Sequence, residues 1–169
     1  MKKILVTGGN GQLGNCFLKL SGDYKDRYQF TFTDSATLDI TDPDQISDFF
    51  TELKPDFCIN ASAYTAVDLA ETEKEKAFAV NAAGVAHLAE ACRDNNCTLI
   101  HISTDYVFDG DTNISYTEDN FTNPQGVYGA SKREGEELAL AINPKTIVIR
   151  TSWLYSEFNK NFVKTMLNL

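Results

Sequence analysis

The chain has no long apolar run, no C-x-x-C pair and no surplus of positive charge, and each absence removes a class of function. Without an apolar segment long enough for a bilayer, and with Met1-Lys2-Lys3 leading straight into strand-like sequence, neither a signal peptide nor a membrane span is expected. The four cysteines, Cys16, Cys58, Cys92 and Cys97, lack the spacings of redox or metal sites. They read as structural thiols in a reducing cytoplasm, with no metal expected. Asp and Glu number 24 against 15 Lys and Arg, a formal charge of −9. That field repels nucleic-acid phosphates and anionic lipid, so neither is an expected partner. An anionic ligand can still be held where backbone N–H groups and a few cations converge.

No internal repeat or low-complexity segment is present. Apolar residues at 43% and charged residues at 23% lie in the globular range, and 169 residues suffice for one domain with its own core. Ile4-Leu5-Val6-Thr7 reads as a buried strand feeding a glycine-rich turn, followed by a helix over 12–20. A second strand over 29–33 closes at Asp34, and Asp42-Pro43 supplies an N-cap and a first-turn proline for a helix with Ile46, Phe49, Phe50 and Leu53 on its apolar face. Lys54-Pro55-Asp56 precedes a third strand over 57–61. A long helical stretch lies within 68–92, a fourth strand spans 98–103, a polar loop spans 109–125, and a helix carrying Tyr128 leads to a fifth strand over 146–150. Alternating strands and helices imply an α/β, doubly wound parallel sheet of Rossmann type, with ligands at the carboxyl ends of the strands. The glycine turn, Asp34, Ala61-Ser62-Ala63, Ser103-Thr104-Asp105 and Thr151-Ser152-Trp153 all follow strands, so five strand ends meet on one edge.

In Gly8-x-x-Gly11-x-x-Gly14 the first glycine permits the turn, the second admits a pyrophosphate against the backbone, and the third lets helix pack on strand. Between strand and helix, this pattern points to a dinucleotide; alone it would mark a plain turn. Asp34 can accept hydrogen bonds from adenosine ribose hydroxyls and would repel a 2′-phosphate, which favours NADH over NADPH. Its alternative is a turn aspartate before Ser35. Tyr128 and Lys132, four apart, share a helix face, and an ammonium near a phenol lowers the phenol's pKa. With Thr104 at the fourth strand's end, phenol, ammonium and hydroxyl can reach one point, although a tyrosine and a lysine one turn apart are commonplace on helices. His87 and His101 read as packing or surface residues, and Glu134, Glu136 and Glu137 as a solvated helix face.

Seven ordered segments carry a family likeness: TGGNGQLG over 7–14, LDITD over 38–42, AYTAVD over 63–68, VNA over 80–82, STDYVFDG over 103–110, YGASK over 128–132 and RTSWLY over 150–155. Together they closely resemble dTDP-4-dehydrorhamnose reductases of the extended short-chain dehydrogenase/reductase superfamily. The resemblance implies NADH- or NADPH-dependent reduction of the 4-keto group of a dTDP-6-deoxy-hexulose to dTDP-L-rhamnose. It makes Tyr128 the proton donor, Lys132 its tuner and the holder of the nicotinamide ribose, and Thr104 the hydrogen-bond donor to the keto oxygen. Asn10, Gly11, Gln12, Leu13, Asp39, Ile40, Ala63, Tyr64 and Thr65 match cofactor-contacting positions. Asp105 and Trp153 match positions facing the sugar, and Val67 and Asp68 line the same pocket.

Related dehydratases carry Asp-Glu after the threonine, whereas here Asp105 is followed by Tyr106, which favours carbonyl reduction over elimination. Family members are considerably longer, so residues 1–169 are expected to form the NAD(P)-binding domain with the smaller C-terminal substrate subdomain missing. Such a piece should hold cofactor, bind dTDP-sugar weakly, turn over slowly or not at all, and expose Trp153, Phe158 and Phe162, favouring self-association as a homodimer. Two alternatives stay open: a non-catalytic regulatory subunit on the same fold, and an epimerase or dehydratase of another nucleotide sugar.

Overall fold

The computed structural model describes residues 1–169. Five strands, β1 (Lys2–Thr7), β2 (Tyr28–Phe32), β3 (Phe57–Asn60), β4 (Thr98–Thr104) and β5 (Thr146–Thr151), form one parallel sheet in the order β2-β1-β3-β4-β5. Val6 stands opposite Phe32 on one side and Ile59 on the other, and Ser103 opposite Arg150. The order reverses between β1 and β3, and at such a switch point the loops leaving neighbouring strands diverge and open a crevice. The Rossmann-like sheet expected from alternation is present.

Helix α1 (Gln12–Ser21) lies on the face where Phe17 packs against Ile4, Val6 and Ile59. The opposite face carries α2 (Pro43–Leu53), α5 (Gly84–Asp94) and α6 (Val127–Ile142), which supply Ile46, Phe50, Val85, Leu88 and Ala139 to a core built on Leu5, Cys58 and Leu99. Period-two alternation along β4 turns Leu99, His101 and Ser103 into this helical layer. The two layers are uneven. On the α1 side of β5, Ile147 and Ile149 remain exposed.

The helix ends follow their sequence signals. The Asp42 carboxylate accepts from the backbone N–H of Asp44 and Gln45 at 3.0 and 3.1 Å, Pro43 occupies the first turn, and Lys54 ends α2 in the left-handed region at φ 51°. The long helical stretch expected within 68–92 is present: after a short α3 (Val67–Ala70), α4 (Lys74–Phe78), a π-helical turn (Ala79–Ala83) and α5 follow one another without interruption. Buried Asn81 in that turn donates to Tyr64 O at 3.0 Å, accepts from Tyr64 N at 2.9 Å, and donates to Ser131 Oγ at 3.1 Å. These bonds fasten the loop after β3 to α6. Periodicity registers apolar spacing but not a single wide turn inserted to aim one amide. A short α7 (Phe162–Leu167) ends the described chain, and no helix is long and apolar enough to cross a membrane.

Glu136 also departs from its expected place. It is 1% exposed and takes a two-point ion pair from Arg150 of β5, at 3.0 and 2.7 Å. One turn beyond Lys132 it shares the inward helix face, whereas Glu134 and Glu137 face solvent as read. All four cysteines are free, and Cys58, Cys92 and Cys97 lie in the core.

Candidate active site

The loop from β1 to α1 is shaped by glycine where no side chain fits. Gly8 has φ +69°, and a Cβ there would stand 2.7 Å from the Ala61 carbonyl and the Ser62 nitrogen. At Gly14 a Cβ would come within 2.6 Å of Gly9 Cα, so this glycine seats α1 against its own loop. Gly11 caps α1, whose first turn carries no acidic side chain to repel an anion. Gln12 Oε1 is buried there without a hydrogen-bond partner.

This loop is one wall of a cavity of about 810 Å³ running along the carboxyl edge of the sheet. Of the residues singled out from sequence, Gly8, Asn10 to Leu13, Asp34, Asp39, Ile40, Ala61 to Thr65, Val67, Thr104, Asp105, Tyr128, Lys132 and Trp153 all line it. Two do not. Gly14 acts beneath the loop, and Asp68 is exposed on α3 and lines neither this cavity nor its neighbour. Ser103 and Tyr106 line this cavity as well, and sequence reasoning passed over the segment Asn159-Lys160-Asn161. Asn159 Nδ2 donates to Asn10 O at 3.1 Å, tying this segment to the glycine loop across 149 residues, a distance no local pattern spans.

Asp34 holds a turn and also lines the cavity. Its Oδ1 accepts from Ala36 N, Thr37 N and Thr37 Oγ1 in a turn, at 3.1, 3.0 and 2.9 Å, while Oδ2 accepts from Asn10 Nδ2 beside the glycine loop. The Thr37 hydrogen bonds hold its carboxyl below the usual range, so the charge stays at this end of the cavity. Asp39 spends its Oδ1 on Thr41 N and Oγ1, at 2.9 and 2.8 Å.

At the other end, α6 opens with Tyr128 and places Lys132 one turn deeper. Lys132 is 1% exposed, and its Nζ donates to Ile102 O at 2.7 Å. Burial pushes its pKa down to about 8, against a smaller upward pull from Glu136. The Thr104 hydroxyl lies beside the Tyr128 phenol. Burial raises the phenol's pKa, and the neighbouring Thr104 hydroxyl only partly offsets this. The expected lowering by Lys132 is therefore not what this geometry gives, because the ammonium is desolvated and aimed at a backbone carbonyl. Tyr128 keeps its proton at neutral pH.

Thr104 Oγ1 donates to Asp105 Oδ1 at 3.1 Å and accepts from Tyr106 N at 3.2 Å, while Asp105 Oδ2 accepts from Ser152 Oγ at 2.6 Å. The ends of β4 and β5 are joined in this way. Tyr106 meets the Tyr128 ring edge-on at 5.5 Å, and Trp153, at φ +53°, meets Phe162 at 5.0 Å. A second cavity of about 880 Å³ opens beyond, lined by Phe108, Asp109, Tyr116, Gln125 and Phe162. Tyr128, Tyr106, Asp105 and Trp153 belong to both cavities, so the phenol stands in their common wall.

A family model described as the RmlD substrate binding domain matches residues 1–169. The chain is 47% identical over its whole length to a dTDP-4-dehydrorhamnose reductase of Aggregatibacter actinomycetemcomitans, covering 57% of that relative. A crystal structure of a dTDP-4-dehydrorhamnose reductase from Clostridium acetobutylicum is 44% identical with TM-score 0.92, over 98% of this chain and 58% of that one. Another, from Bacillus anthracis in complex with NADP, is 39% identical with TM-score 0.94, over 99% and 59% respectively. The chain thus spans a little over half the length of the relatives it matches.

Proposed function

Since this chain belongs to the RmlD substrate binding domain family, we propose that it carries the chemical centre of an NAD(P)H-dependent reductase acting on the 4-keto group of a dTDP-6-deoxy-hexulose, to give dTDP-L-rhamnose. The observation that carries the reading is the place of Tyr128, a protonated phenol in the wall between two cavities with a threonine hydroxyl beside it.

The glycine loop, with its cramped Cβ positions and the amino end of α1, fits the pyrophosphate of a nicotinamide dinucleotide. Gly8, Asn10, Gly11, Gln12 and Leu13 would hold that part, Asp34, Asp39 and Ile40 the adenosine end, and Ala61 to Thr65 the middle of the molecule. The bound cofactor supplies the hydride. A relative solved with NADP supports this assignment. Lys132 would hold the nicotinamide ribose from below, and Lys160 would bring a cation to a strongly acidic molecule's anion site.

The keto group would enter from the second cavity, against Asp105, Val67 and Trp153. As its oxygen gains negative charge, Tyr128 would donate a proton and Thr104 would turn its hydroxyl from Asp105 to donate a hydrogen bond. A raised phenol pKa suits this direction, since the donor must hold its proton at working pH. Asp105 is held by Ser152 and followed by Tyr106, so no second carboxylate stands ready for elimination. The four free thiols fit a reducing cytoplasm.

The test follows NADH and NADPH oxidation with a dTDP-4-keto-6-deoxy sugar. Tyr128→Phe should lose at least about a hundredfold in rate while binding cofactor as before. Unchanged turnover in that variant would overturn the role of the phenol. Tight cofactor that is never consumed would point instead to an epimerase or dehydratase.

A further inference from the structure

Beneath Lys132 a line of buried polar groups crosses the sheet from β1 to β4. Thr7, Asn60, His101 and Lys132 are each exposed by 1% or less. Thr7 Oγ1 donates to Asn60 Oδ1 at 2.7 Å, and Ser62 N–H donates to the same oxygen at 3.1 Å. Asn60 Nδ2 lies 3.1 Å from His101 Nδ1, and His101 Nε2 lies 3.4 Å from Lys132 Nζ, at the long end of such contacts.

The Ser62 amide fixes every group that follows. A backbone N–H needs an acceptor, so Asn60 presents Oδ1 to it and turns Nδ2 towards the imidazole. A side-chain NH₂ only donates, so His101 Nδ1 must offer a lone pair. Imidazolium has none to offer, and the one neutral form that does carries its proton on Nε2. That proton faces Lys132 Nζ. An ammonium would meet it donor to donor, whereas an amine meets it with a lone pair and still gives an N–H to the Ile102 carbonyl.

We propose that His101, locked by Asn60 as the Nε2–H tautomer, is a positioning residue that favours the neutral amine of Lys132 and sets the pH at which that lysine changes charge. Burial of both groups acts in the same direction, holding His101 well below its usual pKa. The other titratable groups around Lys132 are Tyr128 one turn before it and Glu136 one turn after. Glu136 favours the ammonium but is itself paired to Arg150 and Arg133. Asp105 and Tyr106, from the turn after β4, act on Tyr128. The consequence for catalysis rests on the reductase reading; the tautomer and the lysine titration do not.

The experiment is NMR on the full chain, with histidine ¹⁵N and lysine ¹³Cε labels and with His87→Gln to assign the second histidine. His101 should appear as the Nε2–H tautomer, without titrating, from roughly pH 5.5 to 9. Lys132 should titrate below the other lysines. In His101→Phe its midpoint should rise by about one pH unit. Asn60→Asp should raise it too, because a carboxylate calls the imidazole proton to Nδ1 and leaves Nε2 as an acceptor for the ammonium. The pH dependence of kcat should move with that midpoint. An Nδ1–H tautomer, an imidazolium, or a Lys132 midpoint unmoved in a folded variant would overturn the proposal. If a variant fails to fold, the tautomer in the unaltered chain still decides. A correct tautomer in a chain whose turnover is unchanged by Tyr128→Phe would sink the reductase reading alone, and the wrong tautomer in one that loses turnover with that change would sink only this.

Discussion

Lys132 shows what a single buried charge does to a fold. Its pKa lies near 8 against an ordinary 10.5, so between those values the unfolded chain binds more protons than the native one. Stability from this group therefore rises with pH across that window and is lowest below it. Relative to Lys132→Met, the unaltered chain should gain roughly 3 kcal/mol between pH 8 and 10.5. Urea midpoints measured for both proteins at each pH check this, and parallel curves would refute it. At the opposite end of the cavity, the Asp34 charge is kept by its turn partners. Asp34→Asn removes that charge but retains an oxygen for Ala36 and Thr37. Affinity for NADPH relative to NADH should then rise severalfold in titrations of both cofactors, since a 2′-phosphate no longer meets a carboxylate. Tyr128, Lys132 and Thr104 were legible as residues because their types and spacing are local facts. Their protonation was not, because desolvation is set by what the rest of the chain places around them.

Among the elements, the helical run from α4 to α5, widened at its π-helical turn, is the piece that positions the site. A straight helix could not both pack Val85 and Leu88 on the core and deliver the Asn81 amide to the Tyr64 backbone. The π-helical turn resolves this by widening one turn. Gly135 of α6 takes part, since a Cβ there would run into the Asn81 carbonyl. Asn81→Ala leaves the Tyr64 N–H and C=O and the Ser131 hydroxyl short of a partner. We expect about 1–3 kcal/mol of destabilisation by denaturant melts, together with weaker cofactor binding because Tyr64 lines the cavity. A variant as stable as the parent would show that the clamp carries no energy.

The whole molecule has one well-covered face and one that α1 covers only in part. Helices α2, α5 and α6 bury the first, while Ile147 and Ile149 on β5, with Trp153 and Phe162 beyond it, stay exposed on the remaining surface. Phe158, expected among them, is instead partly buried. Exposed apolar groups of this extent favour association, although the charge of −9 opposes it between like copies. The chain should self-associate more strongly as salt is raised, and Ile147→Thr with Ile149→Thr should weaken this in sedimentation velocity. A monomer at every salt concentration would contradict the expectation.

The sequence by itself determined the alternation of strand and helix, the glycine loop, the strand-end placement of nearly every site residue, and the likeness to a reductase family. These are properties of neighbours in the chain, or of repeats of two and of 3.6 that local sterics enforce. The tertiary structure decided the wide π-helical turn at Ala79–Ala83, the burial of Glu136 against Arg150, and the closing of Asn159 onto Asn10. It alone set His101 beside Lys132. Hydrogen bonds between distant residues depend on which side chains share a dry interior, and only the assembled sheet brings Thr7, Asn60 and His101 into one line.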